Sequence, residues 1–130
     1  MPTEFSVILR DEPGTLARLG GVLGNAGVNI VAIAGSSRDG TSRVQFVCNA
    51  PDRATQSLEA AGIPYATREV LVVGVLDQPG TLGDVALVMS QAGINIDSVY
   101  VTTRGQVVLG VDDVAGATQV AGGMAVMTPD

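Results

Sequence analysis

The sequence predicts an α+β chain made of two tandem βαββαβ units, each an antiparallel sheet carrying its helices on one face. Three observations predict it. The chain repeats itself, with Asp11 to Ser37 falling on Asp77 to Thr103 without a gap. Apolar residues alternate where each copy opens and follow a helical period directly afterwards. Glycine and proline interrupt both copies at the same places. In the repeat, Asp11, Pro13, Gly14, Thr15, Leu16, Val22, Ala26, Gly27, Asn29 and Ile30 recur as Asp77, Pro79, Gly80, Thr81, Leu82, Val88, Ala92, Gly93, Asn95 and Ile96. Chance would supply about two such identities. The units are expected to span 1–68 and 69–130.

Each copy opens on a strand, with Phe5, Val7 and Leu9 on one side and Leu71, Val73 and Val75 in the second copy. Pro13-Gly14 and Pro79-Gly80 stop these strands and lead into a helix, which Thr15 or Thr81 is expected to help cap. Leu16, Leu19, Leu23 and Ala26 then form one apolar stripe, echoed by Leu82, Val85, Met89 and Ala92. Gly27 and Gly93 end the helices. A hairpin follows, from Val28 to Ser36 and Arg43 to Asn49, with its turn at Ser37 to Ser42. In the second copy it runs Ile94 to Thr103 and Gln106 to Val111. A second helix is expected from Pro51 to about Ala61, and a weaker one from Val114 to Ala121, loosened by Gly116, Gly122 and Gly123. Closing strands are expected at Tyr65 to Glu69 and Met124 to Thr128.

With helices on one face only, the other face of each sheet is bare. The strands Leu71 to Leu76 and Val107 to Val111 are apolar on nearly every residue, which calls for cover on both sides, by the sister copy or by another chain. Glu69 runs almost directly into Leu71, which leaves no room for a linker and implies docked units. A homodimer or larger assembly is expected.

Seven basic against thirteen acidic residues give a net charge of −6, and two Phe with two Tyr offer little base stacking. Nucleic acid and anionic membranes are therefore excluded as partners. No apolar run approaches the roughly 18 residues of a membrane span, and the first residues lack signal-peptide character, so a cytoplasmic location is expected. There is no His, and the one Cys48 alternates with Val44 and Phe46 on an inward strand face. It reads as a packed thiol, and no metal site, cofactor or catalytic residue is expected. Phosphate-binding glycine loops and activated nucleophiles are absent from the sequence, so the chain does not read as an enzyme.

The doubled string Asp-x-Pro-Gly-Thr-Leu, a helical run, then Ala-Gly-[Val/Ile]-Asn-Ile resembles the ACT domain family. The resemblance implies a ferredoxin-like fold and a regulatory module that binds an amino acid and controls enzymes of amino-acid metabolism. It also implies that the glycine turn walls one side of the ligand site. The asparagine opening the second strand would add a contact, commonly from a neighbouring domain.

Chemistry supports that placement independently. A helix N-terminus offers unpaired N–H groups and partial positive charge to a carboxylate, and glycine lets a ligand approach the backbone. Asp11 and Asp77 can accept from an α-ammonium, and the amides of Asn29 and Asn95 both donate and accept. The ligand-contact candidates are thus Asp11, Gly14, Thr15, Leu16 and Asn29, with Asp77, Gly80, Thr81, Leu82 and Asn95. Pro13, Pro79, Gly27 and Gly93 read as structural. Arg18 is replaced by Asp84, so the two sites need not be equivalent. Gly14→Ala or Gly80→Ala is expected to weaken ligand binding at modest cost to folding. The competing reading is a ligand-free regulatory subunit or adaptor that docks on an enzyme through its bare sheet.

Overall fold

The computed structural model describes residues 1–127 and Pro129. The chain forms two compact units, Thr3–Arg68 and Glu69–Pro129, the latter together with Met1–Pro2.

The first unit runs β1 (Thr3–Arg10), α1 (Thr15–Asn25), β2 (Ile30–Arg38), β3 (Thr41–Cys48), α2 (Pro51–Ala60) and β4 (Ala66–Glu69). Its sheet has the order β2-β3-β1-β4, and β3 pairs antiparallel with both β1 and β2. The alternation read from the sequence sends Phe5, Val7, Val44, Phe46 and Cys48 inward against Leu19 and Leu23 of α1 and Ala54 and Leu58 of α2. Phe5 and Phe46 stack with ring centroids 5.1 Å apart. Burial pushes the Cys48 thiol up, against a smaller lowering from a backbone hydrogen bond at Ala50, so it is a packing group.

The hairpin turn is tighter than the sequence suggested. Both strands run on through Ser37 and Ser42, and only Asp39 (φ 53°) and Gly40 (φ 83°) lie between them. Two successive positive φ values give a two-residue turn of the type that matches strand twist, and Asp-Gly is the pair that tolerates them.

The second unit runs β5 (Leu71–Val73), α3 (Thr81–Gln91), β6 (Ile96–Val101), β7 (Val107–Val111) and α4 (Val114–Ala121), then a short 3₁₀ turn at Gly122–Met124. Every residue of β5 and β7 is buried, as their unbroken apolar pattern requires. Among the described residues its sheet is three-stranded, in the order β5-β7-β6. The closing strand expected at Met124 to Thr128 shrinks to one bridge between Val73 and Ala125, flanked by Gly74 N–H to Met124 C=O (2.9 Å) and Val126 N–H to Val72 C=O (2.7 Å); Thr128 lies outside the described residues. Gly122, at φ 56°, and Gly123 spend the approach to that strand in a turn. On the facing side, Gly74 ends β5 early, because glycine has no side chain to pack in a strand.

Three helices stop by one device. Val28 N–H reaches Leu23 C=O at 3.0 Å and Gly27 N–H reaches Gly24 C=O at 3.0 Å; Ile94 and Gly93 repeat this on Met89 and Ser90, and Ile63 and Gly62 on Leu58 and Glu59. This is the Schellman arrangement, with glycine at positive φ supplying the reversal.

Candidate functional site

The site is built where the first strand of each unit turns into its first helix. After β1, Asp11 N–H donates to Gly40 C=O at 3.0 Å, and Pro13-Gly14 makes the corner, with Gly14 at φ 93° and ψ −15°. Proline second and glycine third, at these angles, is a type II turn. The second unit repeats it with Gly80 at φ 89° and ψ −10°, closed by Thr81 N–H to Gln78 C=O at 3.4 Å.

The threonines do not cap the helices, contrary to expectation. Thr15 Oγ1 donates backward to Arg10 C=O (2.8 Å) and Glu12 C=O (3.2 Å), and Thr81 Oγ1 donates to Gln78 C=O (3.1 Å). The capping position is a glycine in each case, so α1 and α3 start without a side-chain cap, whereas Asp113 caps α4 by accepting from Gly116 N–H at 2.9 Å. Apart from Thr81 N–H, which closes its turn, the first-turn amides of α1 and α3 meet no side-chain cap and keep their capacity to bind an acceptor from outside.

Both turns open onto clefts. The first, of about 330 Å³, is lined by Thr15 and Leu16 of α1, Leu9 of β1, Ile33 to Ser37 of β2, and Ser42 and Val44 of β3. The second, of about 400 Å³, is lined by Val75 to Gln78, Gly80 to Gly83, Val101, Gly105 and Val107. The two are the same place in the repeat. Leu16 and Leu82, expected to lead the buried stripe, are instead 57% and 48% exposed and wall these clefts. The stripe's other end thins too, since Ala92 is exposed.

The candidates therefore divide. Thr15 and Leu16 line the first cleft, and Asp77, Gly80, Thr81 and Leu82 line the second. Gly14 shapes the first turn without lining the cleft, and Asp11 stands exposed beside it. The asparagines lie elsewhere. Asn29 N–H donates to Asn49 Oδ1 (2.9 Å) and Asn95 N–H to Asp112 Oδ1 (3.0 Å), which closes each hairpin base and leaves both side chains exposed. Asn95 borders a shallow depression with Ser90 and Gly93. Each α-helix between turn and asparagine has eleven residues, roughly 16 Å of separation, so a unit's own asparagine does not share its cleft. Sequence reasoning missed Ile33, Gly35, Ser36, Ser37 and Ser42. Ser37 and Ser42 fall where the sequence predicts a turn, and the signal available is the exchange of Gly35 for Val101 between copies.

Among the described residues no group of three or more His, Cys, Asp or Glu is placed to hold a metal, and no helix is long and apolar enough to cross a membrane.

A family model described as an ACT domain pair matches residues 2–121. The chain belongs to the ACT domain pair family. No curated protein matches it. Among solved structures, the pair is similar to protein BT0572 from Bacteroides thetaiotaomicron, at 20% identity over 91% of this chain and 84% of that one, with a TM-score of 0.83. It is also similar to the ligand-free regulatory subunit of aspartate kinase from Thermus thermophilus, at 18% identity over 92% and 87% of the chains, with a TM-score of 0.71. At such identities these likenesses show that the ACT pair shares their fold.

Proposed function

We propose that this ACT pair is a cytoplasmic, non-catalytic regulatory module that binds a free amino acid in the clefts at its strand-to-helix turns. The observation that carries the reading is the pairing, in both units, of an uncapped helix start with an adjoining cleft. A carboxylate suits the free amides and the positive helix end, and an amino acid's side chain suits the apolar wall. Because a unit's own asparagine sits a helix length away, Asn29 and Asn95 would serve clefts of a second chain in a homodimer or larger assembly. The similarity to a chain described as the regulatory subunit of aspartate kinase supports an enzyme of amino-acid metabolism as the partner regulated.

The test is thermal unfolding of the chain with each of the twenty amino acids at millimolar concentration. A ligand at about ten times its Kd adds roughly 1.4 kcal/mol, a rise of a few degrees in Tm. One amino acid, or one chemical class, is expected to give it. A flat panel would leave the adaptor reading, in which the chain docks on an enzyme with no small ligand of its own.

A further inference from the structure

The two clefts differ in what lines them. Gly35, on the wall of the first, stands opposite Val101 of the second in the repeat. A Cβ at Gly35 would meet Val44 Cγ2 at 3.3 Å and Arg43 C=O at 3.5 Å, so a side chain there crowds the wall. The second unit places an entire valine at that point, and Val101 is 60% exposed. The second cleft is lined along its turn by Asp77 and Gln78, while Asp11 and Glu12 do not line the first.

Hydroxyl groups differ as well. Ser37 and Ser42 face each other across β2 and β3 with their Oγ atoms 2.6 Å apart, on the wall of the first cleft. One hydroxyl donates to the other, so the pair retains one hydrogen and several lone pairs for a further partner. When the units are aligned on Val44 and Val107, Ser42 becomes Gly105. The second unit's Thr102 is buried, and its Oγ1 accepts from Arg104 N–H (3.2 Å) and Gln106 N–H (3.1 Å) to form the turn. The first cleft therefore combines hydroxyls, the apolar side chains of Leu16, Ile33 and Val44, and no charged side chain.

We infer that the first cleft is the specificity pocket, that it takes an amino acid with a small, uncharged, hydroxyl-bearing side chain of the threonine and serine class, and that Gly35, Ser37 and Ser42 select it. This rests on the amino-acid-binding reading above. A ligand hydroxyl both donates and accepts, as the serine pair requires, and its carbon packs on the apolar wall. A charged side chain would be desolvated there without a partner. The second cleft lacks the serine pair and has Val101 on its wall, so binding is one ligand per chain.

Calorimetric titration of the full chain with threonine, serine, valine, aspartate and lysine tests this. Threonine or serine is expected to bind once per chain, with valine, which lacks the hydroxyl, about fivefold to tenfold weaker. Ser37→Ala with Ser42→Ala is expected to erase that preference, and Gly35→Val to abolish binding. If circular dichroism shows Gly35→Val unfolded, the serine double variant decides alone. Preference for aspartate or lysine, two equivalent sites, or affinity unmoved by the serine double variant overturns this inference and leaves amino-acid binding intact. Silence across all twenty amino acids overturns the functional reading itself.

Discussion

The first unit closes over stacked aromatic rings, Phe5 on Phe46, while the described residues that cluster around Leu71, Met89 and Leu109 in the second include no aromatic. In the first, Arg18 Nη2 donates to Ala61 C=O at 2.8 Å and so ties α1 to the end of α2; the second has Asp84 at that position, which cannot donate such a bond as a carboxylate. The first has a fourth strand, where the second has a bridge. Yet the glycine corners superpose in angle, and the helix stops use the same bonds. The lesson is that the corner and the stop are held by backbone geometry, which few residues satisfy, while core, tie and edge are held by side chains that can be exchanged in concert.

The two cores should show the largest effects. Phe46→Ala is expected to cost about 3–5 kcal/mol and its counterpart Leu109→Ala about 2–5 kcal/mol, read from urea unfolding midpoints. An equal or larger loss at Leu109 would show that the aromatic core is not the firmer one. Next come the corners. Gly14 and Gly80 have open space for a Cβ but φ values of 93° and 89°, so Gly14→Ala and Gly80→Ala should each lose about 1–2 kcal/mol through backbone strain alone. Unequal losses would break the equivalence of the turns. The smallest effect has the opposite sign. Gly20 sits inside α1, a Cβ there meets nothing, and the second unit already has Ala86 in its place. Gly20→Ala should stabilise by about 0.5–1 kcal/mol; destabilisation would mean that this helix face is occupied in solution, by a second copy for example.

The repeat, the corner glycines, the helix stops and the inward strand faces were legible because each follows from a local rule: periodicity of two or three to four residues, or a dihedral that only glycine adopts freely. Leu16 misled because an apolar residue in phase with Leu19 and Leu23 reads as core. Its exposure depends on where the corner places the start of α1 over the sheet. Ser37 and Ser42 misled because serines beside Asp-Gly look like loop, yet the turn needs only the two residues of positive φ. The missing fourth strand depended on what Gly74 and Gly122 do together across a sheet, which no local pattern reports. The first cleft was hidden for the same reason, since its walls come from β1, β2, β3 and α1.

Three of the eleven residues of α1 are glycine, at positions 20, 21 and 24. Each weakens the helix by roughly 0.5–1 kcal/mol against alanine, so the segment holds its coil only while Leu19 and Leu23 stay docked on the sheet. Thr15 and Leu16 on the wall of the first cleft thus belong to a helix of low intrinsic stability. On the function proposed above, an amino acid settling beneath it would tighten the fastening of α1 to the sheet, and occupancy would become a change in rigidity that a neighbouring protein can feel.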